Sequence, residues 1–342
     1  MNEELITALA DLCKEKGIDK DVILDALEAA LIAAYKRNFL SAQNVCVELD
    51  RETGKIAVYA QKTVVAEVMD AQQEISIDDA KKISGSYEEG DIVNIEVTPA
   101  NFGRIAAMTA KQVVTQRIRE AERGIIYSEY TQKENEIVTG KIERIERGNV
   151  YVDIGKVEAV MPLNEQVADE YYEVGRMIKC YVSEVRNGTK GTQIILSRSH
   201  PGLVRKLFYQ EVPEIQEGLV EIKSISREAG SRSKIAVHSE DPDVDAQGAC
   251  IGPKGARVQA IGDELNYEKI DIVKWSEDPV EYISAALSPS KVLTVEIDEE
   301  EKSAKVTVPE YQLSLAIGKS GQNVRLAARL TGWKIDISAG QE

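Results

Sequence analysis

Residues 250–272 read CIGPKGARVQAIGDELNYEKIDI, and residues 316–337 read AIGKSGQNVRLAARLTGWKIDI. Each segment passes from an apolar Ile into a G-x-x-G turn, then a helix-spaced run, then a strand reading KIDI. Ile251 and Ile317 stand 66 residues apart, whereas the KIDI strands begin 65 apart at Lys269 and Lys334, so the copies align with one deletion. Matched features at a fixed spacing mark an internal repeat. Glycines let a backbone approach a chain of anions closely, and the N–H groups at the start of the next helix attract negative charge. Lys254 and Lys319 add a point charge inside each turn. A third match, Gly188-Thr189-Lys190-Gly191, falls between two alternating apolar runs and reads as a hairpin turn.

The segments ahead of the two turns complete a module. PGLVRKLFYQEV, VEIKSISREAG and SRSKIAVHS precede the first; DPVEYISAALSP, KVLTVEID and SAKVTVPE precede the second. A helix and a β-hairpin ahead of helix, turn, helix and strand resemble the type II KH domain, whose G-x-x-G loop holds about four nucleotides of a single strand. On that resemblance the RNA-binding candidates are Ile251, Gly252, Pro253, Lys254, Gly255 and Arg257 in the first copy. In the second they are Ile317, Gly318, Lys319, Ser320, Gly321, Arg325 and Arg329. The competing reading is a pair of small α/β repeats whose glycine turns are only structural. Gly252→Asp or Gly318→Asp is expected to put a carboxylate at the clamp and impair RNA binding while leaving the fold largely intact.

Upstream, residues 136–199 begin EIVTGKIERIERGNVYVDIG and form about five short alternating strands punctuated by Gly and Asn. The pattern predicts an OB-type barrel, which in many proteins binds single-stranded nucleic acid. Its G-x-I at Gly140, NVYVDIG, MPLNE turn and closing ILSRS resemble the S-one barrel. Tyr151 either stacks on a base, worth about 1–3 kcal/mol, or fills the barrel. Arg186 and Arg198 are the barrel's basic candidates.

At the N-terminus, Glu3 to Lys16 and Lys20 to Phe39 carry helical periodicity, with Gly17 as a stop and Asp19 or Asp21 as an N-cap. A hairpin turning at Asp50 to Gly54, a capped short helix after Ser76 and a strand from Ile92 to Val97 follow. Residues 104–123 contain neither Gly nor Pro and predict a helix roughly 30 Å long. The fold class expected is multidomain α+β: an N-terminal α/β unit with a long connector helix (1–130), the OB-type barrel (131–199) and two tandem type II KH domains (200–278 and 279–342). The junctions SHPGL and SEDPVEY are short and not Gly/Ser-rich, so the barrel and both KH units are expected to form one rigid rod along which a single RNA strand could run.

Composition narrows the function classes. The formal net charge is −16, yet 252–262 and 318–329 hold Lys254, Arg257, Lys319, Arg325 and Arg329 and no carboxylate. The basic charge is local. Three to five neutralised phosphates would give a log–log salt slope of roughly −2 to −3.5 for a single strand. The two histidines, His200 and His238, lie in different segments and suit turn or packing roles. No phosphate loop, dinucleotide fingerprint or metal spacing is present, so no cofactor, metal or catalytic residue is expected. The four cysteines are scattered and read as small apolar residues. An acidic amphipathic start and the lack of a long apolar run predict a cytoplasmic protein without a membrane segment.

The order of modules, together with EVTPANFGRIAAMTAKQVVTQRIREAER, HPGLVRKLF, GACIGPKGARVQ and QLSLAIGKSGQNVRLAARLTGWKIDI, resembles the NusA family of bacterial transcription elongation, termination and antitermination factors over essentially the whole chain. The resemblance implies a non-enzymatic monomer that docks on the RNA polymerase core near the RNA exit channel and guides nascent single-stranded RNA. It implies promotion of pausing and intrinsic termination, and antitermination with other Nus factors. Within it, the helical surface around Lys36, Arg37 and Arg104 is the candidate polymerase contact. Two rivals stand beside this reading: an RNA-processing enzyme similar to polynucleotide phosphorylase, and a ribosome-binding module.

Overall fold

The computed structural model describes residues 11, 13–14, 19–39, 44–51, 53–188 and 191–340. The chain divides into two units, residues 1–125 and 126–342.

In the first unit, helix α1 (Lys20–Phe39) starts where Asp19 Oδ1 accepts from the Asp21 amide at 2.9 Å, the capping expected of a short acceptor ahead of an apolar run. The helix proposed for Glu3 to Lys16 lies mostly outside the described residues. Strands β1 (Val45–Leu49) and β2 (Ile56–Val65) pair antiparallel across the Asp50–Gly54 turn, where Gly54 donates to the Asp50 carbonyl at 2.9 Å. Strand β3 (Glu74–Ser76) joins β2 in parallel, the Ser76 hydroxyl caps α2 (Ile77–Ile83), and β4 (Ile92–Glu96) closes the sheet against β2. Leu24, Leu27 and Leu31 bury against Val45, Val47, Val58 and Phe102.

Helix α3 (Phe102–Thr131) is longer than periodicity predicts, because it continues through Gly124. A helical glycine costs about 1 kcal/mol relative to alanine. The last turn offsets this by burial: Tyr130 is 2% exposed in the barrel core and donates to the Ile154 carbonyl at 3.2 Å.

The second unit opens with a closed barrel in the order β5 (Ile137–Glu146), β6 (Asn149–Asp153), β7 (Glu158–Met161), β9 (Gly191–Ser197), β8 (Met177–Gly188). Gly188 pairs with Gly191, in keeping with a hairpin; Thr189 and Lys190 lie outside the described residues. Gly140 is required where strands cross, since a Cβ there would sit 2.5 Å from the Asp153 carbonyl oxygen.

Two modules of one design follow. The first has α4 (Pro201–Glu211), α5 (Pro213–Gln216), β10 (Glu221–Glu228), β11 (Arg232–His238), α6 (Ala246–Ile251), α7 (Ala256–Glu264) and β12 (Lys269–Lys274). The second has α8 (Pro279–Ala286), β13 (Thr294–Asp298), β14 (Ser303–Pro309), α9 (Leu313–Ile317), α10 (Gln322–Thr331) and β15 (Lys334–Gly340). In each, the first two strands pair antiparallel and the KIDI strand lies parallel to the second, so the helix–turn–helix is the crossover that parallel pairing demands.

The joints between barrel and modules are buried and polar as well as apolar. Tyr181 of the barrel packs in the first module's core and stacks on His200 with centroids 4.6 Å apart. His200 in turn caps α4 by accepting from the Gly202 amide through Nδ1. Between the modules, Ala236 and Val273 of the first share a core with Ile283, Leu287 and Val306 of the second. Buried Lys234 donates to Asp271 at 3.1 Å and to the Ser288 carbonyl at 2.8 Å.

Candidate nucleic-acid interface

The two glycine turns are superimposable in backbone angles. Gly252 has φ 74°, ψ 172° and Gly318 has φ 76°, ψ 172°, a region essentially restricted to glycine. The third turn residue is left-handed in both, Lys254 at φ 53°, ψ 27° and Ser320 at φ 53°, ψ 31°, and the closing Gly255 and Gly321 are left-handed as well. A left-handed residue with a side chain costs roughly 1–2 kcal/mol. That cost, incurred identically in two copies, marks a conformation imposed by the surroundings.

Space distinguishes the two glycines of each turn. A Cβ on Gly252 would lie 2.6 Å from Arg257 Cγ, and one on Gly318 would lie 2.7 Å from the Asn323 backbone nitrogen. At Gly255 nothing lies within 4 Å, so only its φ of +79° calls for glycine. The expectation that Gly252→Asp and Gly318→Asp leave the fold intact therefore fails on sterics. Lys254 and Lys319 are the sites where a charge can be reversed without a clash, being exposed at the turn tips.

Neither the Lys254 nor the Lys319 ammonium has a hydrogen bond or ion pair among the described residues, and both side chains are exposed. Ile251, 38% exposed, and the half-buried Ile317 flank them and offer apolar edges for bases. Pro253, whose missing N–H costs nothing at a helix start, and Ser320 complete the turns.

Other candidates are placed differently from their sequence reading. Arg257 is not a free cation: Nη1 donates to Glu214 at 2.9 Å and to the Ala249 carbonyl at 2.6 Å, bracing the first turn from behind. Its counterpart Asn323 is buried and donates to the Ala316 and Leu287 carbonyls at 3.0 and 3.1 Å. Arg325 donates from Nε to Glu228 at 2.6 Å and from Nη1 to the Ser320 carbonyl at 3.2 Å. Arg329 stays 58% exposed, with Glu228 at 3.9 Å.

Arg198 is withdrawn from RNA altogether. At 1% exposure it is locked to Glu170 through Nε and Nη2 and bonds the carbonyls of Lys179 and Glu264, tying the barrel to the first module. Its position as the next-to-last polar residue of ILSRS carries no signal of burial. Arg186 is exposed and pairs with Glu184 two residues away.

Tyr151 lies on the outer face of the barrel, because its neighbours Val150 and Val152 are the ones that point inward at 0% exposure. One ring face is covered by Arg144, whose guanidinium carbon sits 3.6 Å from the centroid. Glu158 accepts from Arg144 at 2.7 and 3.1 Å and raises its pKa above the ordinary arginine value. Sequence reading missed Arg144; the register Arg144↔Tyr151 reveals it, and a bulge next to Ile142 obscures that register in the sequence.

In the first unit, Lys36 and Arg37 occupy the last turn of α1 and Arg104 the first turn of α3, all exposed. Tyr35 and Phe102 meet at 5.8 Å, so the end of α1 packs against the start of α3.

A curated relative from Halalkalibacterium halodurans, a transcription termination/antitermination protein NusA, is 61% identical over 342 residues, which is 100% of this chain and 90% of that protein. The chain belongs to the NusA family. The NusA protein of Bacillus subtilis is 61% identical over 339 residues, 99% of this chain and 91% of its own length, and that of Thermus thermophilus 43% over 352 residues, 100% of this chain and 91% of its own. Family models match in the order NusA N-terminal domain (4–124), S1 RNA binding domain (131–199), NusA-like first KH domain (198–275) and NusA-like second KH domain (279–342). The fold class is thus the NusA assembly of α/β unit, OB barrel and two KH domains. Among the described residues no helix is long and apolar enough to cross a membrane, and no cluster of His, Cys, Asp or Glu could hold a metal.

Proposed function

We propose that this NusA-family chain is a transcription elongation factor, working in the cytoplasm as a non-enzymatic monomer. Its N-terminal part, 1–130, docks on RNA polymerase near the RNA exit channel, with Lys36, Arg37 and Arg104 in the contact. The barrel (131–199) and the KH modules (200–278 and 279–342) guide nascent single-stranded RNA. By holding transcript and polymerase together the protein promotes pausing and intrinsic termination, and it takes part in antitermination with other Nus factors.

The observation that carries the RNA reading is the matched pair of turns, each with glycine-only geometry and an exposed, unpartnered lysine at its tip. A phosphate chain can approach such a backbone closely, and the cation is not neutralised from within. The RNA residues proposed are Ile251, Gly252, Pro253, Lys254 and Gly255 with Ile317, Gly318, Lys319, Ser320 and Gly321, aided by Arg329, Arg186 and the Arg144–Tyr151 pair. Of the five clamp cations, Arg257 and Arg325 are engaged internally, which leaves Lys254, Lys319 and Arg329; with Arg186 and Arg144 already paired to Glu184 and Glu158, the salt slope comes down to about −2.

Titration of a labelled single-stranded RNA at several salt concentrations tests this. Lys254→Asp/Lys319→Asp should weaken binding and flatten the slope by at least about 1. Equal binding by the folded double variant contradicts the clamp reading. In the same preparation, shortening of the RNA on addition of phosphate and magnesium would favour the enzymatic rival, and co-sedimentation with ribosomal subunits would favour the ribosomal one.

A further inference from the structure

Both clamps are braced by an arginine–glutamate pair, but the glutamates come from different places. In the first clamp Arg257 bonds Glu214, which lies on α5 of the same module. In the second, the equivalent of Arg257 is the uncharged Asn323, and the arginine stands two residues further on. Arg325 bonds Glu228 at 2.6 Å, and Glu228 is the last residue of β10, in the first module. The same guanidinium reaches the Ser320 carbonyl at 3.2 Å, and Ser320 is the left-handed residue of the second turn. Gln322, directly after that turn, donates to Glu228 at 2.9 Å and to Ser231 at 2.7 Å. The hairpin between β10 and β11 therefore holds two side chains of α10, one of which holds the turn.

We infer that the first KH module sets the conformation of the second clamp: Glu228, acting through Arg325 and Gln322, is a positioning residue for the turn 318–321, whereas the first clamp is braced from within its own module. A left-handed Ser persists only where its neighbours impose the conformation. A charged donor on its carbonyl, anchored at the far end by a carboxylate, is such an imposition. The asymmetry lies in where the brace comes from: the second turn is held by a residue of the first module, and the first turn by one of its own. Its consequence for RNA rests on the clamp reading above; its consequence for the turn does not.

Electrostatics and positioning predict opposite signs. If Glu228 only adds negative charge near the RNA path, removing it strengthens RNA binding and steepens the salt slope. If Glu228 positions the second clamp, removing it weakens binding while the number of phosphates neutralised stays the same.

The test uses the full chain with Glu228→Gln, Glu228→Ala and the counterpart Glu214→Gln. Hydrogen exchange is read at the Gly321 and Gly255 amides, which donate to the carbonyl of the first glycine in their own turns at 3.1 and 3.0 Å. Glu228→Ala should speed exchange at Gly321 by about tenfold, the equivalent of one charge-assisted hydrogen bond. Gly255 should not change, Glu228→Gln should lie between, and Glu214→Gln should act on Gly255 alone. RNA affinity of Glu228→Ala should fall about threefold or more with an unchanged salt slope. Unchanged exchange at Gly321, a parallel rise at Gly255, or tighter RNA binding overturns the inference. If Lys254→Asp/Lys319→Asp leaves RNA binding intact, the clamp reading fails instead, and the exchange data still decide the role of Glu228.

Discussion

Arg257 and Asn323 stand five residues after the first glycine of their respective turns and perform the same task with different chemistry. Each would be struck by a Cβ on that glycine, and each donates to a carbonyl at the end of the helix before the turn, Ala249 at 2.6 Å and Ala316 at 3.0 Å. The contact differs in compliance. Gly252 faces the flexible Cγ of a long side chain, whereas Gly318 faces backbone.

That difference ranks the glycine substitutions. Gly318→Ala should be the most destabilising, exceeding the roughly 1–3 kcal/mol of the backbone conformation alone because the Asn323 backbone must move. Gly252→Ala should cost less, since Arg257 can shift. Gly321→Ala, whose Cβ would meet only Arg325 Nη1 at an ordinary 3.8 Å, should cost only about 1–2 kcal/mol. Urea melts of the three variants check the order, and Gly321→Ala as the worst of them would contradict it.

Arg198 is a structural residue, so its loss should register in stability. Removing one partner from a buried pair leaves the other charged and unsolvated, at about 3–5 kcal/mol. Arg198→Ala should therefore lower the thermal midpoint of the unit formed by the barrel and KH modules by several degrees. A midpoint within a degree of the parent's would mean that Glu170 finds another partner.

Acid should loosen the contact between the modules. The Arg325 hydrogen bond, opposed by partial burial and assisted by Gln322 and the Arg325 and Arg329 charges, holds the Glu228 carboxyl below its ordinary value of 4.5. Its folded pKa is depressed, so its stabilisation is present above about 4.5, the unfolded value, and is lost as pH falls through the lower folded value. The protection factor at Gly321, taken relative to intrinsic amide exchange at each pH, should fall over that acid window in the parent, and Glu228→Gln should remove most of that dependence. A parent and variant with identical acid profiles would contradict the assignment.

Burial pushes the Cys180 and Cys250 thiols up to about 12. Only the thiolate reacts, so both should resist a disulfide reagent at pH 8 until the protein unfolds. Prompt modification of either in the folded protein would mean that its module opens on the assay's timescale.

Much of the architecture was legible because periodicity and turn chemistry agree locally. The KIDI strands, the five barrel strands and the Ser76 cap follow from alternation and from short acceptors placed ahead of helices. Helix α3 ran past its expected end because Tyr130 is buried by the barrel, a tertiary contact that local pattern does not carry. The clamp backbone was readable from glycine spacing, but the fate of its arginines was not. Arg257, Arg325 and Arg198 look equally basic in sequence. Their partners Glu214, Glu228 and Glu170 lie 43, 97 and 28 residues away, separations at which composition is silent.

Single-round transcription at a hairpin-stabilised pause with cognate RNA polymerase reads polymerase docking and RNA guidance in one assay. It compares no factor, the full chain, and the folded Lys254→Asp/Lys319→Asp variant. The expected result is a longer pause with the full chain and a markedly smaller effect with the variant, because polymerase docking survives and RNA guidance does not. A full chain that leaves pause lifetime and termination unchanged, or a variant as active as the parent, would contradict it.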